Sequence, residues 1–147
     1  MIANAAFNSI RYKKELIRRY PTDLIEFEKF LISVNPVYEW FIDNADKASY
    51  KLIKAFITNI VPLGHIGKKY FKRIANKKQG VTIELWKLYN DIEKQYWIGD
   101  FEIATYYELR RLGFKGIQLG GGGDCPVDSI FKFIGKEAIR ISEAILN

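Results

Sequence analysis

Chemistry in this chain is concentrated towards its end. Asp128 follows a run of four glycines, Gly120 to Gly123, and the acidic residues Glu137 and Glu143 lie shortly beyond it. A carboxylate on one strand, beside polar and acidic groups on its neighbour, is an arrangement that holds a hard divalent cation through oxygen ligands. The elements that must position these groups read in order from Asp100. Asp100 is suited to cap a helix, and Phe101, Ile103, Ala104, Tyr107, Leu109 and Leu112 form an apolar stripe along it. Gly113 stands where a left-handed C′ residue is wanted, with Phe114 at C″ free to fold back. Lys115 to Leu119 then reads as a strand and the glycines as a turn. Val127 to Ile134 reads as a second strand, Gly135-Lys136 as a hairpin turn, and Ala138 to Ser142 as a third strand.

The order helix, strand, glycine turn, aspartate, hairpin, strand resembles the core of the PD-(D/E)XK nuclease superfamily, in particular the archaeal Holliday junction resolvases and Mrr-like restriction endonucleases. Glu102, Ala104, Leu109, Gly113 and Phe114 stand in similar places to that family's first helix. Pro126-Val127-Asp128 looks like its proline–aspartate signature with one residue inserted. The family's last strand carries Glu-x-Lys; this chain has Glu137-Ala138-Ile139-Arg140 there. The resemblance covers about a third of the chain. It implies a Mg²⁺ ion held by Asp128 and Glu137, with Glu102 or Glu143 completing the carboxylates, activating water against a phosphodiester. Arg140 would supply the positive charge of the missing lysine, though an arginine does not give up a proton.

A separate feature is cationic. The segment Gly67 to Gly80 carries Lys68, Lys69, Lys72, Arg73, Lys77 and Lys78 with no acid among them. Such side chains neutralise phosphates and release counterions, so this is the expected nucleic-acid contact. Tyr70, Phe71 and Ile74 suit the opposite, buried face. The whole chain has net charge +6, but residues 1–80 hold 15 Lys+Arg against 7 Asp+Glu while residues 81–147 hold 8 against 10. That asymmetry fits an anion-gripping part joined to an acidic one.

Other groups carry less. The glycine run lacks the Gly-Lys-Ser/Thr ending of a phosphate loop, and no helix is expected directly after it. His65 sits in a Pro-Gly connection, and nothing in the spacing pairs it with Cys125. A lone cysteine excludes an internal disulfide and fits a reducing compartment. No stretch approaches the roughly 18 apolar residues of a membrane span, and the N-terminus has no secretory pattern.

Along the rest of the chain, Arg11 to Arg19 predicts a short basic helix ended by Pro21. Thr22 caps a second, with Leu24, Phe27, Leu31 and Val34 buried. After the Asn35-Pro36 break, Val37 to Phe41 starts another, with Trp40 and Phe41 in the core. Ala45 to Val61 predicts a helix with Leu52, Ala55, Phe56, Asn59 and Ile60 on one face and Lys47, Lys51 and Lys54 on the other. Val81 to Trp97 predicts a long helix capped by Thr82, with Ile83, Trp86, Tyr89, Ile92 and Tyr96 inward.

The expected architecture is α+β in a single domain, 1–147. A helical, basic part (1–98) precedes a helix with a small three-stranded sheet packed on it (99–147), a partial restriction-endonuclease-like core. The expected function is nucleic-acid binding of the nuclease-like class, as a Mg²⁺-dependent DNA endonuclease. The alternative is a non-enzymatic basic helical DNA-binding or regulatory protein, whose sheet is a dimer or partner interface. A homodimer, no membrane association and a cytoplasmic location complete the expectations.

Overall fold

The computed structural model describes residues 29, 31–118 and 123–133. Residues 31–34 are helical and lead to Asn35. The Asn35 side-chain oxygen accepts the Val37 N–H at 3.0 Å, so it starts α1 (Val37–Asn44) where Pro36 has no N–H to offer. Helix α2 (Tyr50–Ile57) is capped by Ser49, whose hydroxyl accepts from Leu52 N at 3.1 Å. It ends in the turn 58–60 and a 3₁₀ turn (Val61–Leu63) with Pro62 inside it, so the expected single helix from Ala45 to Val61 is shorter and broken. Gly64, with φ 71° and ψ −143°, redirects the chain into α3 (Gly64–Lys77). A backbone of that kind is essentially restricted to glycine.

Helix α3 buries Ile66, Gly67, Tyr70, Phe71, Ile74 and Ala75, a helical stripe along one side. Gly67 lets it approach the preceding 3₁₀ turn. A β-carbon there would press on the Ile60 carbonyl and come within 2.9 Å of Leu63 Cβ. Helix α4 (Thr82–Ile98) ends at the left-handed Gly99 and turns Leu85, Tyr89, Ile92 and Tyr96 inward. Ile83, expected on that side, is 69% exposed. Thr82 also departs from expectation. Its hydroxyl donates to Ala75 O and Lys78 O, closing the end of α3 rather than capping α4.

The core is aromatic. Phe41 stacks on Phe56 with centroids 3.6 Å apart, and Phe114 lies parallel to Phe41 at 5.8 Å with Trp40 edge-on at 4.9 Å. Tyr38 and Tyr70 meet edge-to-face at 5.6 Å, and Tyr70 OH donates to the Tyr38 carbonyl. Phe71 carries the packing on to Tyr89 and Trp86 at 4.8 and 5.1 Å.

The C-terminal part corrects the α+β expectation. No strand occurs among the described residues, so the three-stranded sheet and the restriction-endonuclease-like core are not the observed fold. The supposed strand Val127 to Ile134 is helical over 126–133, with Val127, Ile130 and Phe131 buried and Lys132 exposed. Spacings of three and four are helical, and Pro126 is favourable at a first helical position. Residues 115–118 form no ladder. They are held as an irregular segment, in part by Arg110 Nη2 donating to Gly116 O at 3.1 Å. The third strand, Ala138 to Ser142, lies outside the described residues.

The expected helix from Asp100 begins later, as α5 (Tyr106–Arg111). Thr105 and Glu108 form a reciprocal capping box, which satisfies two backbone donors where Asp100 alone would satisfy one. Its end follows the sequence. Phe114 N donates to Leu109 O and Gly113 N to Arg110 O, with Gly113 at φ 116° and Phe114 buried. That is the Schellman arrangement.

Candidate nucleic-acid interface

Because α3 puts all its large apolar side chains on one side, its cations are forced to the other. Lys69, Lys72, Arg73 and Lys77 are exposed, and Lys68 and Lys78 are partly so. Lys77 and Lys68 are drawn into the fold. Lys77 Nζ donates to the Ile42 carbonyl near the end of α1 at 2.5 Å, where a cation suits the helix dipole. Lys68 Nζ lies 3.7 Å from Glu93 Oε1 of α4. Lys69, Lys72 and Arg73, at spacings of three and four, face outward on one stripe with Asn76 beyond them. No acid occurs between Asp46 and Glu84, a stretch that also includes the exposed Lys47, Lys51 and Lys54.

The carboxylate constellation is different. Glu102 is exposed in the irregular segment before α5, and Asp128 is half-buried in the helical stretch 126–133. Glu137, Arg140 and Glu143 lie outside the described residues. Among the described residues no three His, Cys, Asp or Glu side chains gather to hold a metal. Of the carboxylates expected to hold Mg²⁺, only Asp128 and Glu102 fall among the described residues. Gly123, at φ 89°, has a local reason. A β-carbon there would lie 2.9 Å from Asp128 Cβ and 3.0 Å from its Oδ2, so this glycine makes room for Asp128 itself. Cys125 is half-buried with Sγ 3.7 Å from the Ile103 carbonyl, while His65 is exposed in the first turn of α3.

No family model, curated protein or solved structure matches the chain.

The residues that sequence reasoning passed over are two asparagines with no exposed surface. Asn35 Nδ2 lies within hydrogen-bond distance of Tyr106 OH (2.8 Å), Ser129 Oγ (2.9 Å) and Pro126 O (3.2 Å), which share its two N–H donors. Asn59 Nδ2 donates to Ala104 O at 3.0 Å, its Oδ1 accepts from Val127 N at 3.1 Å, and its carbonyl accepts from Tyr38 OH at 2.8 Å. Thr58 Oγ1 adds a bond from Ala104 N at 2.8 Å. Together they fasten residues 104–106 and 126–129 to the helical body. Their signal was present as a polar residue amid an apolar face, at Asn59, and as an Asn-Pro dipeptide at Asn35.

No helix among the described residues is long and apolar enough to cross a membrane. Burial raises the phenol pKa of Tyr38 and Tyr70 well above its usual value; coulombic repulsion adds to this, from Tyr106, Asp128 and Cys125 at Tyr38 and from Tyr38 and Asp43 at Tyr70. Burial raises Tyr89 as well, reinforced by Glu93, and pushes Tyr96 up to about 12.

Proposed function

We propose that this chain binds nucleic acid, double-stranded DNA first, through the exposed stripe of α3, and that it acts inside the cell. One observation carries the reading: α3 buries its entire apolar side and presents Lys69, Lys72 and Arg73 together, with no acid anywhere in the helix. Like charges crowded this way repel one another, and an anionic partner relieves the repulsion. Three cations over about one turn suit a phosphate backbone, where charge recurs every ~1.7 Å of duplex axis. The single cysteine supports an intracellular setting.

The test is affinity for unrelated duplexes across a salt series. The triple variant Lys69→Ala/Lys72→Ala/Arg73→Ala should weaken binding to all sequences alike. Its log–log salt slope should be shallower by about 0.9 for each phosphate that is no longer neutralised. Stability should move by less than about 0.5 kcal/mol, since the three side chains are exposed. A variant with wild-type affinity and slope would sink the proposal. The same samples with Mg²⁺ or Mn²⁺ address the nuclease reading. Cleavage by the wild type that is absent in a folded Asp128→Ala variant would favour it, and inert wild-type protein would leave binding alone.

A further inference from the structure

We propose that Tyr107 and Arg111 form a stacking platform for an unpaired base, so that the surface at the end of α5 takes single-stranded nucleic acid. Tyr107 is 72% exposed, although its helix neighbours Tyr106 and Leu109 are buried. Its ring is covered on one side by the Arg111 guanidinium, whose Cζ lies 5.9 Å from the ring centroid. Arg111 is itself exposed. Arg110 is fixed alongside by its bond to Gly116 O and by its seat over the Phe114 ring, 5.3 Å from the centroid. That bond draws the 114–118 segment, with exposed Lys115, against the end of the helix. The only acid of α5, Glu108, is engaged at the opposite end in the capping box with Thr105.

The surface therefore offers an aromatic face, a planar guanidinium and a second arginine within about one helical turn, with Lys115 in the segment just beyond the helix. A lone phosphate group needs the cations but not the ring. Flat π-surfaces interleaved with positive charge match a base attached to its phosphate. Duplex DNA keeps its base faces stacked away from solvent, so the matching ligand is an unpaired strand. This surface is separate from the α3 stripe and needs nothing from it.

The experiment is anisotropy of a labelled oligothymidylate and of a labelled duplex with the full chain. Tyr107→Ala should weaken oligothymidylate binding about 5- to 150-fold, the range for loss of one stacked base, and leave duplex affinity unchanged. Tyr107→Phe, which keeps the ring, should bind as the wild type does. Circular dichroism checks that both variants fold, which the exposure of Tyr107 favours. The proposal is overturned if Tyr107→Ala binds the oligonucleotide normally, if it loses oligonucleotide and duplex equally, or if the wild type binds no oligonucleotide. Adding the α3 triple variant separates the two readings. If that variant alone loses the duplex and Tyr107→Ala alone loses the single strand, both surfaces act. If α3 substitution leaves duplex binding intact while Tyr107→Ala loses the single strand, only the α3 reading fails.

Discussion

At the scale of single residues, two buried asparagines tie residues 104–106 and 126–129 to the helical body. An amide in an apolar interior is tolerated only when its hydrogen bonds are made. Asn59 meets that condition by binding two chain segments at once, through Ala104 O and Val127 N. Asn59→Ala would leave both backbone groups buried without a partner, at about 1–3 kcal/mol each. We expect a loss of about 2–6 kcal/mol, read as a lower urea midpoint. An unchanged midpoint would mean that the C-terminal segments are held by other contacts. Asn59 also shows where sequence reading stops. Its burial was legible from the apolar spacing around it, although it lies in the turn 58–60 and not on the helix expected there. Its partners were not, because they lie 45 and 68 residues further along the chain. The cation side chains of α3 were legible for the opposite reason. Their direction follows from the apolar stripe of their own helix, with no distant partner needed.

Among elements, local punctuation competed with pattern, and the structure shows which prevailed. The Schellman end of α5 followed from Gly113 and Phe114, two residues in fixed relation to the last turn. Its beginning did not follow from Asp100, because Thr105 and Glu108 satisfy each other's backbone donors five residues later. The sheet failed on period. Val127, Ile130 and Phe131 recur every three or four residues, and an apolar run this short fits both a strand and a buried helical turn. With the sheet removed, Asp128 sits on a helix, and the oxygen-ligand arrangement inferred for strands loses its frame. Helix α3 offers a test of packing against propensity. Alanine is a better helix former than glycine by about 1 kcal/mol, so an open site would gain from Gly67→Ala. Here the new methyl meets Leu63 Cβ at 2.9 Å and crowds the Ile60 carbonyl. Overpacking of this kind costs about 1–3 kcal/mol. Gly67→Ala should therefore lower the thermal midpoint; a rise would show that α3 can lift off the 3₁₀ turn freely.

For the molecule as a whole, the aromatic core makes stability depend on alkaline pH. Tyr38, Tyr70, Tyr89 and Tyr96 are all buried with raised phenol pKa values. A phenol raised in the folded state binds its proton more tightly there than in the unfolded chain, where its pKa is near 10. The resulting stability is fully present below about pH 10 and is lost as pH rises above it, through the value of about 12 reached by Tyr96. Phenolate absorbance at 295 nm from these four rings should appear together with the loss of near-ultraviolet circular dichroism. If all nine tyrosines ionise while the dichroism persists, the rings are not sealed from water.

The long reach of Asn59 also bears on how the protein is made. Its Oδ1 receives the Val127 N–H from 68 residues downstream, and Asn35 reaches Ser129 across 94. A ribosome adding about 5–20 residues per second takes roughly 3 to 14 s to cover the shorter gap. By the end of that interval the helices from α1 to α4 can exist, with two amides still hydrated where the finished interior will be dry. Closing the core before then would leave these two amides without those partners, at a free-energy cost. Until residues 104–129 emerge, water is the natural partner of both side chains.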